Sequence, residues 1–116
     1  MPRSIRSRLN DIIRAIDGVA DTIGGVDFDT YQAVFHMPRT VERCIEIVSK
    51  ATRHIPSDLK SGYPEIPWHQ IAGIGNVLRH DYDLVDQRLI WEVATVHFPR
   101  LRAVIVELRS ELPATD

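Results

Sequence analysis

Cysteine is almost missing from the chain. Cys44 stands alone, so no internal disulfide can staple the fold, and a reducing, cytoplasmic compartment is the expected location. Lysine is nearly as scarce: Lys50 and Lys60 are the only two, and every other basic side chain is an arginine. No apolar run approaches the roughly 20 residues of a membrane span. None follows the arginines near the N-terminus either, so no signal peptide is expected. There is no alternating run that would predict a strand, no internal repeat and no low-complexity block. His36, His54, His69, His80 and His97 do not fall at metal-ligand spacing such as His-Glu-x-x-His, so no metal and no cofactor is expected. The net charge of −2 argues against broad coating of nucleic acid. It leaves room for a local basic site that grips phosphates.

What remains is globular in composition. The chain has 116 residues, 44% hydrophobic and 26% charged, which predicts one domain over residues 1–116. At this size a single core buries roughly two-thirds of the surface the unfolded chain exposes.

The periodicity is helical throughout. From Ile5 to Ile23, apolar residues recur at spacings of three and four, with arginine, asparagine and aspartate filling the other side. Gly24 and Gly25 close that helix. Asp27 or Asp29 caps a second stretch through Tyr31, Val34 and Phe35, which Pro38 is expected to break or kink. A helix from about Arg39 to His54 follows, with Val41, Cys44, Ile45, Val48, Ala51 and Ile55 on its apolar face. The proline-rich segment from Ser57 to Pro67 reads as a loop with one helical turn at Asp58 to Ser61. Pro67 opens a third main helix, ending at Arg79 or His80. Asp86 caps the last one, which Pro99 should kink. The expected fold is all-α, an antiparallel up-and-down bundle of four main helices.

The segment GIGNVLRHDYDLVD, Gly73 to Asp86, carries the chemistry. His69, Gly73, Asn76 and His80 form one polar or small stripe on the third main helix. His80 stands at its end, just before a polar turn with Tyr82, and imidazole is the natural group for moving protons at neutral pH. The plainer alternative is a solvated helix end with His80 capping carbonyls. Gly73 and Gly75 each weaken the helix by about 1 kcal/mol against alanine. Either a close helix crossing or a ligand needs the room, or the two glycines make a local irregularity. Arg79 adjoins His80 and can pair a phosphate, provided the helix ends there so that both side chains share an aim. Trp68 and Trp91 read as anchors, and Cys44 as a small buried hydrophobe. Arg3, Arg6, Arg8 and Arg14 read as a solvated helix face rather than an RNA-steering patch.

The stretch PEIPWHQIAGIGNVLRHDYDLVDQRLIWEVATVHFPRL resembles the C-terminal half of HepT-like proteins, a branch of the HEPN superfamily. RLNDIIRAID and ERCIEIVSKATRHIP are similar to the first helices of that family. The resemblance spans nearly the whole chain and is densest from Tyr63 to Leu101. It implies a small helical bundle that forms a homodimer. Active members are metal-independent ribonucleases and the toxins of toxin–antitoxin pairs, with RNA as substrate and an MntA-like nucleotidyltransferase as antitoxin. Their motif is Arg, four residues, His, one residue, Tyr, and the site forms where two subunits bring their motifs together. By that resemblance His80 is the catalytic histidine and Tyr82 the tyrosine that the partner adenylylates. Asn76 is the asparagine that follows the motif arginine.

The chain departs from the motif at one place: the arginine position is Gly75. Glycine supplies no cation for the scissile phosphate, and losing one such stabilising group lowers the rate about a hundred- to a thousandfold. Arg79 or an arginine of the other subunit would have to take its place. Two readings follow. One is a HepT-like endoribonuclease toxin using His80, Asn76 and Arg79. The other is a weakened or inactive HEPN-fold binding partner of a small nucleotidyltransferase. A large gain of activity in Gly75→Arg would mark the natural protein as a weakened enzyme.

Overall fold

The first helix, α1 (Ile5–Ile23), turns its apolar stripe inward, and Leu9, Ile12, Ile16 and Val19 are almost fully buried. Ser4 caps it by accepting a hydrogen bond from the Ser7 N–H. Gly24 ends it, and Gly25 then takes a left-handed turn at φ 75° that only glycine adopts without strain. These observations come from a computed structural model that describes residues 3–81, 83 and 85–114.

Asp27 caps α2 (Phe28–Ala33) through the Thr30 N–H. The next helix, α3 (His36–Thr52), begins earlier than the sequence suggests. Pro38 neither breaks nor kinks it, because Pro38 lies in the first turn, where a missing N–H leaves no helical bond unmade. Val34 and Phe35 fall outside α2, and Phe35 is left exposed under the Arg39 guanidinium at 3.6 Å.

A single turn, α4 (Ser57–Lys60), interrupts the following loop, and α5 (Trp68–His80) starts after Pro67. The last rod is composite. Asp86 caps α6 (Gln87–Glu92), a π-helical turn spans Val93–His97, and α7 (Phe98–Glu111) completes it. Pro99 explains the middle piece. Its ring cannot sit against the carbonyl of Thr95 four residues earlier, so the turn before it widens. The kink expected at Pro99 thus takes the form of a π turn.

The four long elements are α1, α3, α5 and the α6–α7 rod, and no strand occurs among the described residues. The principal contacts run from α5 to α3, from α3 to α1 and from α1 to α7. Arg102 binds Asp17 with two hydrogen bonds, 2.7 and 3.2 Å, and Arg109 donates to Asn10, so α7 is tied to α1. The α5 helix has no comparable seat on α7, and the bundle is open between them.

A small aromatic knot fixes the start of α6. The Tyr31 ring is fully buried, 4.9 Å from the Trp91 ring, with Phe28 against both. Its hydroxyl donates to Gln87 Oε1 at 2.6 Å, and burial, with the Glu42 charge adding, pushes that hydroxyl well above its usual pKa, so it remains a donor. Tyr31→Phe keeps the packing and removes one hydrogen bond. It is expected to lower stability by about 1 kcal/mol in urea unfolding, with the helical content of the folded protein unchanged.

Candidate functional site

Three features converge on α5. The first is the end of the helix. His80 is the last helical residue, and Asp81 leaves the helical conformation while its N–H still bonds the Val77 carbonyl at 2.7 Å. Arg79 and His80 are both still helical, so their side chains leave α5 about 100° apart. His69, Gly73, Asn76 and His80 are all exposed. At about 100° per residue they lie within one narrow sector, opposite the buried Leu78. The side chains of His69, Asn76 and His80 form no hydrogen bond or ion pair with other described residues. Tyr82 lies outside the described residues.

The second feature is a cleft of about 320 Å³ between α1, α3 and α5. Arg3, Arg8, Arg43, Lys50, Arg53 and Arg79 line it, with Asp11 and Glu46 the acidic members. Arg3 pairs with Asp11 at 2.5 Å and Arg43 with Glu46 at 3.4 Å. The remaining four cations have no acidic partner among the described residues. Arg79 brings the basic cleft to the residue beside His80.

The third feature is an apolar groove of about 670 Å³ in the gap between α5 and the α6–α7 rod. Ile74 and Val77 line it from α5, Leu89 and Val93 from the rod, and Ile45 from α3 beneath. Val77 is 44% exposed and Leu89 50% exposed. The polar stripe thus runs along a ridge, with cations on one side and uncovered hydrocarbon on the other.

Gly75 decides how close α5 comes to α3. It is buried, and its N–H donates to Ser49 Oγ at 3.2 Å while that hydroxyl donates to the Ala72 carbonyl at 2.8 Å. A Cβ at this position would stand 2.6 Å from Ser49 Oγ and 2.7 Å from Ser49 Cβ. Of the two roles open to the glycines, close crossing applies to Gly75. Gly73 has nothing within 4 Å of a Cβ. Any side chain at position 75 therefore requires the Ser49 side chain or α5 itself to shift.

The other sequence candidates fall elsewhere. All five histidines are exposed, and no group of three or more metal-ligating side chains occurs among the described residues. Cys44 is half-buried rather than buried, and burial pushes its thiol up, away from the nucleophilic thiolate. Trp68 is anchored by its indole N–H on the Tyr63 carbonyl at 3.1 Å. Of the N-terminal arginines, Arg3 and Arg8 line the basic cleft and Arg14 does not. Nothing in the spacing of the sequence marks Lys50 and Arg53 as site residues. The cleft is assembled from three helices, and no periodicity within one helix reports it. No helix among the described residues is long and apolar enough to cross a membrane.

The comparisons with known proteins identify the family. The family model described as Ribonuclease HepT-like matches residues 12–108. "Probable ribonuclease HepT" of Thermococcus cleftensis is 32% identical over 109 residues, covering 94% of this chain and 99% of that protein. "Putative RNase MJ1216" of Methanocaldococcus jannaschii is 26% identical over 114 residues, covering 98% of this chain and 94% of that protein. No solved structure matches the chain.

Proposed function

Because the chain belongs to the Ribonuclease HepT-like family, we propose that it is a metal-independent endoribonuclease, the toxin half of a toxin–antitoxin pair, acting at a cleft between two copies of itself. The observation that carries this reading is the position of His80. It is exposed at the end of α5, with Asn76 one turn behind it and Arg79 joining it to the basic cleft.

Cleavage of RNA without a metal needs a base and an acid. The base takes the proton of a ribose 2′-hydroxyl, whose oxygen attacks the adjacent phosphorus. The bond from phosphorus to the 5′ oxygen breaks, and the acid protonates that oxygen. One His80 serves as base and the His80 of the second copy as acid. The Asn76 amide donates to a phosphate oxygen, and Arg79 neutralises charge as it develops on the phosphorane. We assign the apolar groove beside the stripe, where Val77 and Leu89 are exposed, as the face on which the second copy packs. An MntA-like nucleotidyltransferase is the proposed antitoxin. Adenylylation of Tyr82 would attach a bulky nucleotide two residues after His80 in the sequence.

The test is incubation of the purified protein with RNA in excess chelator. Fragments ending in a 2′,3′-cyclic phosphate are expected, and intact RNA under these conditions would sink the nuclease reading.

A second reading has one observation in its favour: Gly75 removes the motif arginine and the α3–α5 crossing keeps it out. A catalytically weakened or inactive binding partner of a small nucleotidyltransferase would then be the function. It is selected if the two proteins co-purify while neither RNA cleavage nor growth arrest on expression is seen.

A further inference from the structure

We propose that the cleft between α1, α3 and α5 is a groove for the sugar–phosphate backbone of RNA, gripped by Arg8, Lys50, Arg53 and Arg79, and that it supplies the cations the motif lacks at Gly75. The choice of RNA as the polyanion rests on the ribonuclease reading; the anion-binding character of the cleft does not.

The charge balance comes first. Both carboxylates lining the cleft are already taken, Asp11 by Arg3 and Glu46 by Arg43. Four cations are left facing one another in a chain whose net charge is −2. The C-terminal end of α3 offers them only about half a negative charge, too little to explain the cluster as helix capping. Mutual repulsion of unpaired cations weakens a fold and is expected where an anion binds between them.

A second observation is independent of the cleft's shape. His54, just past the end of α3, is held below its usual pKa. Desolvation is the largest cause, and Arg8, Lys50, Arg53 and Arg3 all add to it. The imidazole thus senses the same positive field from two helices.

The third is continuity. The volume of about 320 Å³ is that of roughly ten waters, more than one phosphate fills. Gly75 contributes to its wall, so the residue that removes the motif arginine also leaves the cleft open. Arg79 lines the cleft and directly precedes His80 in the chain. A strand gripped at Arg79 lies one residue along α5 from the exposed His80.

The test is binding of a 2′-O-methyl oligoribonucleotide, which has no free 2′-hydroxyl to attack phosphorus and so reports binding apart from cleavage. The wild-type protein is compared with the Lys50→Ala/Arg53→Ala double variant and with Arg14→Ala, an exposed arginine outside the cleft. Lys50, Arg53 and Arg14 are all exposed, so the variants should fold. The double variant is expected to bind about tenfold more weakly near 0.1 M salt. Its slope of log affinity against log salt should be shallower by about 1.4, two phosphate contacts at about 0.7 each. Arg14→Ala should match wild type. The His54 titration midpoint, followed by NMR, should rise when the oligonucleotide saturates the protein, and inorganic phosphate should compete only weakly. Unchanged affinity and slope in the double variant overturn the proposal. So does a static His54, or ATP binding more tightly than the oligonucleotide, which would make the cleft a nucleotide pocket. If natural RNA stays intact while the oligonucleotide binds as expected, the nuclease reading fails and the groove stands. If RNA is cut and the double variant binds normally, the groove fails alone.

Discussion

His80→Ala is expected to lower RNA cleavage by about a hundredfold to ten-thousandfold, the range lost when a general acid–base group is removed. The same substitution should leave the unfolding free energy within about 0.5 kcal/mol of wild type. The two halves of this expectation come from one observation. The His80 side chain is exposed at the end of α5 and bonds no other described residue, so its removal leaves neither a cavity nor an orphaned partner. A histidine retained to cap its helix would behave differently, with a loss of stability and no special loss of turnover. Cleavage rates and urea unfolding on the same preparations separate the two. Equal cleavage by wild type and variant would remove His80 from the mechanism. The proposed division of labour between two copies adds a further readout. If one His80 is base and the other acid, mixing wild type with excess His80→Ala should suppress activity below simple dilution, because mixed pairs lack one of the two groups. A variant that merely dilutes would show that a single copy carries both roles.

The sequence reveals most of the fold because local rules decide most of it. The α1 stripe, the Asp27 and Asp86 caps and the glycines after Ile23 all act within a few residues of themselves, and each stands where its chemistry requires. Pro38 shows where such reasoning slips. A proline looks like a breaker until the true start of the helix is known, and that start is set by how α3 packs, with Pro38 itself buried. Pro99 marks a distortion correctly, but whether a kink or a π turn results depends on how α6 and α7 must both meet the core. The site divides the same way. The ridge of His69, Gly73, Asn76 and His80 is a property of one helix and can be read from spacing. The cleft joins Arg8 to Lys50, Arg53 and Arg79 across three helices, and only tertiary packing brings them together. From the sequence alone Arg8 reads as part of a solvated face, and nothing marks Lys50 and Arg53 as site residues.

Gly75 is where local and tertiary rules disagree in sign, and it carries the second large effect. By helix propensity, Gly75→Ala should stabilise a helix interior by about 1 kcal/mol. The crossing predicts the opposite. The new Cβ would meet Ser49 Oγ at 2.6 Å and Ser49 Cβ at 2.7 Å. Ser49 is fully buried, and turning its hydroxyl away would break its bond to the Ala72 carbonyl. Relief requires α5 to move off α3, at a cost typical of overpacked cores, about 1–3 kcal/mol. Net destabilisation is expected for Gly75→Ala, and more for Gly75→Arg, whose longer side chain adds a further cation to an already cationic cleft. A fall in melting temperature of roughly 10 °C for the arginine variant is the corresponding scale. Ser49→Gly supplies the control. It removes both atoms the Cβ would strike, so Gly75→Ala introduced on that background should be neutral or stabilising, and the double-mutant cycle should show a coupling of at least about 1 kcal/mol. Additive effects, or a stabilised Gly75→Ala, would mean the helices have slack at this crossing. Arginine at 75 would then again be a credible route to a stronger nuclease. With the coupling present, the missing motif arginine follows from how tightly α3 and α5 are packed, and any cation that serves the phosphate must come from another position.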